Sequence, residues 1–158
     1  KMLVERGGMT SMMATVLKVL CAFLFAGAMS AAGFMNAILE KLKTFVHSDG
    51  TLILVTVISV LIIALIVGNA YIPILMGGEL FSESFKERNL APQNLSRTLE
   101  DAGTFGAVLI PWNSNAIYAS QMLGVAPLAF IPYCFLNYLT PIIDLIYAKT
   151  GFTIKKTA

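Results

Sequence analysis

Three short stretches of this 158-residue chain carry side chains that could do chemistry. Glu100 and Asp101 form an adjacent acidic pair, with the hydroxyl of Thr104 one helical turn further on. Gly68-Asn69-Ala70-Tyr71-Ile72-Pro73 sets a flexible residue, an amide and a helix breaker within one and a half turns, and Pro111-Trp112-Asn113-Ser114-Asn115 sets three polar side chains behind a second breaker. No nucleophile elbow, phosphate loop, GxGxxG or HExxH pattern occurs, which leaves little for covalent catalysis. What these stretches offer is oxygen. A small hard cation such as Na⁺ takes ligands from carbonyls, hydroxyls, amides and a carboxylate, and interrupted helices expose carbonyls and half-helix ends. Asn69, Thr104, Asn113 and Ser114 could supply neutral oxygens, and Asp101 or Glu100 the negative charge; the same residues would also serve as helix caps and interhelical hydrogen bonds. A carboxylate in such a place can hold a proton or help to hold Na⁺, but cannot favour both, and that competition suffices for cation/proton exchange if the site opens alternately to two sides. Such chemistry calls for no cofactor and no resident metal, only transient Na⁺.

The elements that position these residues belong in a bilayer. The chain is 57% hydrophobic and 13% charged, with a mean hydropathy of +0.77, whereas a soluble domain carries about 25% charged residues. No charged residue occurs from Gly50 to Gly78 or from Ala102 to Ile143, and ~18 uncharged apolar residues already make a membrane-helix candidate. The expected fold is an all-α integral membrane chain, a polytopic helical bundle with broken or re-entrant helices. The net charge of +2 is divided among connections, so no row of cations faces a phosphate backbone and nucleic acid is excluded as a partner. Cys21 and Cys134 lie in apolar segments without metal-ligand spacing and read as buried small apolar side chains. The chain opens at Lys1 without a secretory signal and reads as a fragment of something longer.

Four apolar segments are expected. The first, 10–39, carries small residues spaced four apart (Ala22/Ala26, Gly27/Ala31, Ala28/Ala32) that let another helix approach closely. The second, 51–76, begins as a β-branched run, yet hydrocarbon demands an internally satisfied backbone, so it must be helical up to its interruption, with breaks marked by Gly68 and Pro73. A polar stretch, 79–99, follows as a short amphipathic helix at the membrane surface and a turn around Pro92. The uncharged run from Ala102 to Ile143 would be roughly 63 Å as one helix, about twice the hydrocarbon thickness, so it must turn back near Gly124–Pro127. It divides into 100–123, broken at Pro111, and 127–148. Nine of the eleven Lys and Arg residues fall on the N-terminal flank, the Glu79–Asp101 loop and the C-terminal tail, which puts those in the cytoplasm and the Lys41–Asp49 connection on the other side. His47 reads as a loop residue; Asp144 is a second intramembrane acid and so a functional candidate, but, near Lys149 and the segment end, it reads as an acid able to reach water.

Arg6–Met13 (RGGMTSMM) and the stretch from Leu90 to Phe152 resemble the C-terminal portion of the NhaC family of Na⁺/H⁺ antiporters. The resemblance is carried by Leu95-Ser96-Arg97, Glu100-Asp101-Ala102-Gly103-Thr104, Ile110-Pro111-Trp112-Asn113 and Leu123-Gly124-Val125, with their spacing kept. It implies a bacterial or archaeal inner-membrane secondary transporter built from two inverted repeats, of which this chain would be about one half. Na⁺ and H⁺ would be the transported ions; the lipid bilayer, the remaining N-terminal portion of the transporter and, for some assemblies, a second copy in a homodimer would be the partners. Glu100, Asp101, Thr104 and the break at Pro111-Trp112-Asn113 match the family pattern as a cation path. Asn69 stands where many members have a hydroxyl residue, and Asn115 where members often have a small one. Some members are thought to exchange organic acids, such as malate for lactate, so two cargoes stay open; a third reading, from another class, is a non-transporting membrane subunit.

Overall fold

The computed structural model describes residues 44–157 continuously, together with positions 13, 16, 17, 20, 21, 24, 27, 28, 31–33 and 41. The expected segment 10–39 and its small-residue pairs therefore lie largely outside the described residues. Cys21 is exposed and Cys134 partly buried, so neither is the buried side chain its apolar neighbours suggest.

The described chain is all-helical apart from one isolated bridge. Helix α1 spans Asp49–Val67 and starts on a capping box: the Ser48 hydroxyl accepts from the Thr51 N–H, and the Thr51 hydroxyl accepts from the Ser48 N–H. Its β-branched run stays helical because it is apolar on every side, Leu52, Ile53 and Val60 facing protein while Leu54, Ile58 and Leu65 face outward. Nineteen residues give a rod of about 28 Å at 1.5 Å per residue, and among the described residues it is the one helix long and apolar enough to cross a membrane unaided.

At Gly68 the backbone enters the left-handed region (φ 65°), where only glycine is free of strain, and the chain reverses. Helix α2, Tyr71–Glu87, returns along α1: Ile72 and Met76 pack with Ile63 and Val67, Phe81 and Phe85 with Leu52 and Ile53, and Arg88 pairs with Asp49 at 3.3 Å. Two expectations change as a result. The interruption in 51–76 is the tip of a hairpin, so the polar stretch after it is the second half of α2, with Phe81 and Phe85 buried against α1 and not laid on a membrane surface. The connection ending at Asp49 also sits at the same end as the chain after α2, where Lys156 approaches Asp49 at 3.7 Å as well. Hydropathy could not tell a crossing from a reversal, and the reversal moves that connection to the basic end.

Helix α3, Pro92–Glu100, begins with a proline in its first turn, where no N–H is missed. It runs on through a π turn, Asp101–Phe105, and a 3₁₀ turn, Gly106–Leu109. Helix α4, Ser114–Leu123, ends at Gly124, and α5, Pro127–Phe130, follows with a 3₁₀ turn, Ile131–Tyr133, at 84° to α4. Helix α6, Phe135–Thr150, packs on α1 and on the π turn. The tail returns to the α2–α3 connection: the Ala91 N–H donates to the Lys155 carbonyl at 2.9 Å and the Thr157 N–H to the Asn89 carbonyl at 2.8 Å. Buried Asn94 secures this pairing, its amide donating to the Lys155 carbonyl (2.6 Å) while its oxygen accepts from the Lys155 N–H (3.2 Å).

Candidate functional site

The two interruptions meet. Ile110 is extended, as a residue before proline must be, and Pro111 occupies the second position of a turn closed by the Asn113 N–H on the Ile110 carbonyl (2.9 Å). That turn lies against the α1–α2 hairpin tip: the Ser114 N–H donates to the Gly68 carbonyl at 2.9 Å, and the Trp112 indole N–H donates to the Leu65 carbonyl at 2.7 Å. The Leu65 carbonyl belongs to the last turn of α1, which has no partner within its own helix, so the indole fills a need the break creates. A Cβ on Gly68 would come within 3.3 Å of the Trp112 carbonyl.

Both break asparagines are buried, Asn69 at 2% and Asn113 at 0% exposure. Their side-chain oxygens cap helices, Asn69 accepting from the Tyr71 N–H (2.6 Å) and Asn113 from the Asn115 N–H (2.9 Å). A carboxamide oxygen has a second lone pair, so capping does not exhaust it. The Asn113 amide nitrogen is buried and has no partner among the described residues. Pro73, expected as a breaker, is the third residue of α2, inside the first turn where its missing N–H costs nothing; Gly68 makes that break alone.

The acids lie elsewhere on the same path. Nine residues of π and 3₁₀ turn carry the chain from Asp101 to Leu109, which puts Asp101 on the order of 13 Å from the Pro111 turn at ~1.5 Å per residue. Gly103 packs against Val60, more than halfway along α1, so Asp101 lies near the mid-height of α1. Asp101 is partly buried and Glu100 exposed, and the Thr104 hydroxyl donates to the Glu100 carboxylate. The candidates therefore divide into a break group of Gly68, Asn69, Pro111, Asn113 and Ser114 and an acidic group of Glu100, Asp101 and Thr104.

Asp144 belongs with the acids, contrary to its expected access to water. It is 1% exposed on α6, and its Oδ1 accepts from the Arg97 Nε at 3.1 Å. Arg97 also donates to the Thr153 hydroxyl (2.9 Å) and lies 5.7 Å from the centre of the Tyr147 ring. The π turn carrying Asp101 packs on α6, and Arg97 lies one helical turn before Asp101. The signal in the sequence is Asp144 itself, which ends the longest uncharged run; that its partner is Arg97 follows only from the packing of α6. Among the described residues no three His, Cys, Asp or Glu side chains converge as a resident metal site would require. A cavity of about 800 Å³ opens beside Asp49, Leu54, Arg88 and Ile146, and no residue of either group lines it.

The described chain is apolar and helical, with oxygen-bearing breaks and two acids, Asp101 partly buried and Asp144 buried, and residues 1–152 match the Na⁺/H⁺ antiporter family. The chain belongs to that family. It is 40% identical to an uncharacterized Na⁺/H⁺ antiporter of Haemophilus influenzae over 98% of its own length and 33% of the relative's. It is 33% identical to the Na⁺/H⁺ antiporter NhaC of Alkalihalophilus pseudofirmus, over 98% of this chain and 33% of that one. A more distant relative, 28% identical over 94% of this chain and 32% of its own, is the malate-2H⁺/Na⁺-lactate antiporter of Bacillus subtilis. The chain thus spans about a third of the length of the curated relatives it matches. No solved structure matches it.

Proposed function

We propose that the chain forms part of a secondary active transporter of the bacterial inner membrane that exchanges Na⁺ for H⁺ by alternating access, the two ions competing for an intramembrane carboxylate. The observation that carries this reading is the junction of the two breaks, Gly68 carbonyl to Ser114 N–H, one stretch of irregular backbone on a path that also holds Asp101 near the mid-height of α1. Backbone irregularity at membrane depth is tolerated where it lines a cavity or is buried in protein, and an ionisable group there is a functional candidate by default. In this reading the polytopic bundle is one half of an inverted-repeat transporter, completed by an N-terminal portion. Arg88, Lys155 and Lys156 gather at one end, so the positive-inside rule makes that end, with the C-terminus, cytoplasmic. Asp101 exchanges its proton for the cation, Thr104 and Glu100 line the approach, and Asn69, Asn113 and Ser114 supply oxygen at the breaks. Asp101→Asn in the full-length protein should lower Na⁺-driven proton movement in vesicles at least tenfold; undiminished exchange discards the assigned role.

A second reading keeps the fold and changes the cargo to a carboxylate anion exchanged with coupling ions. It is favoured by the ten-residue helix α4, whose N-terminus opens at the break beside the buried Asn113 amide, without a partner among the described residues, and by the malate/lactate relative. Uptake of labelled malate with and without a Na⁺ gradient separates the two readings.

A further inference from the structure

The Arg97–Asp144 pair is incomplete in a specific way. An arginine facing a carboxylate side-on uses Nε and Nη2 together against both oxygens. Here Nε closes on Oδ1 at 3.1 Å, while Arg97 Nη2 and Asp144 Oδ2 are both buried and have no partner among the described residues. A buried carboxylate oxygen left open is costly unless something positive fills it. The π turn carrying Asp101 packs directly on α6, which carries Asp144, and Arg97 lies one helical turn before Asp101. With both acids ionised, these three side chains leave one negative charge uncompensated. Glu100 is exposed and engaged with Thr104, and so stands outside the balance.

We propose that Asp144 and Asp101 together hold a single monovalent cation, and that Arg97 is a tethered counter-ion that competes with it for Asp144. The proposal rests on the antiport reading and deepens it by naming a second carboxylate and a charge rule. One positive charge neutralises the cluster, so one Na⁺ or one proton fits, whereas a divalent ion would leave an excess charge buried. Arg97 keeps Asp144 from standing uncompensated while the cation is away, and its monodentate grip leaves Oδ2 for the cation's arrival. Arg97 is thus a positioning residue that sets affinity and valence selectivity.

The test uses the purified full-length protein in detergent, with thermal unfolding followed as NaCl or CaCl₂ replaces choline chloride at constant ionic strength. The native protein should be stabilised by Na⁺ and not by Ca²⁺. D144N should lose the Na⁺ response. R97Q should respond at tenfold or more lower Na⁺ and should acquire a Ca²⁺ response, because its cluster then carries a second uncompensated charge; R97K should behave as the native protein. A purely structural pair would lower the melting temperature of R97Q without changing its ion midpoints or its valence selectivity. A D144N protein with the native Na⁺ midpoint, or an R97Q protein with native midpoint and selectivity, overturns the proposal; should D144N not fold, R97Q decides alone. Exchange in vesicles separates the two levels. A Na⁺ response that depends on Asp144 without Na⁺/H⁺ exchange leaves the site standing and removes the antiport reading, while native exchange in D144N removes the site and leaves antiport.

Discussion

Replacing Gly103 with alanine tests whether the turn carrying Asp101 is held in place by close packing. A Cβ built there would lie 2.4 Å from Ile74 Cγ1, 3.0 Å from Ile74 Cδ1 and 3.5 Å from Val60 Cγ1. Comfortable carbon contacts are about 3.5–4.0 Å, so Cγ1 would have to retreat by roughly 1 Å. Ile74 is β-branched and within α2, where its first side-chain torsion is nearly fixed, so the relief must come from separating the π turn from the α1–α2 hairpin. Overpacking costs about 1–3 kcal/mol, with a forced backbone shift toward the upper end at about 2–3, and alanine's better helix propensity returns about 1, leaving a net loss of about 1–2 kcal/mol. Asp101 and Thr104 flank the displaced residue, so exchange should fall together with stability. The assays are denaturant unfolding of the full-length protein in detergent and proton movement in vesicles. Ile74→Ala removes the obstructing atoms, so Gly103→Ala with Ile74→Ala should cost at least about 1 kcal/mol less than the two singles added together. Strictly additive losses, or a Gly103→Ala protein as stable as the native one, would refute the packing argument.

Other substitutions probe the joints around the site. Trp112→Phe removes the indole bond to the Leu65 carbonyl and should cost about 1 kcal/mol, with faster hydrogen exchange at Gly68–Ala70; unchanged protection there would show that the breaks do not brace each other. Asn94→Ala removes both bonds to Lys155 from a buried position, so it should cost about 1–3 kcal/mol and speed tryptic cleavage at Lys155 and Lys156, which an intact tail would resist as before.

The helical, apolar class of the chain was legible because a membrane segment declares itself by the absence of charge, and Gly50–Gly78 and Ala102–Ile143 contain none. The interruptions were legible for a similar reason, since Gly68 and Pro111 limit what backbone can form around them. What each interruption does was not legible. Hydropathy is the same for a helix that kinks and one that folds back, and only the contacts of Gly77 with Val60 and of Arg88 with Asp49 decide for a hairpin. The stretch 79–99 shares the ambiguity: Phe81, Phe85, Glu83 and Lys86 make an amphipathic face whether the apolar side meets lipid headgroups or protein.

The candidate site shows the same division between residue type and partner. Asp101 and Thr104 announced themselves by chemistry, but Arg97 and Asp144 are 47 residues apart and meet only because α6 packs against the π turn that continues α3. A π turn takes one more residue than an α turn and so rotates everything after it by roughly 100° about the axis. Gly103 and Gly106 then lie against Ile74 and Leu61, with no side chain to hold the helices apart. Side chains before the turn keep the register of α3 and reach Asp144; those after it keep the register of the hairpin and lead to the second break. One chain can thereby serve an ion pair on α6 and a backbone junction at Gly68, which a continuous α-helix of the same length would turn to different faces.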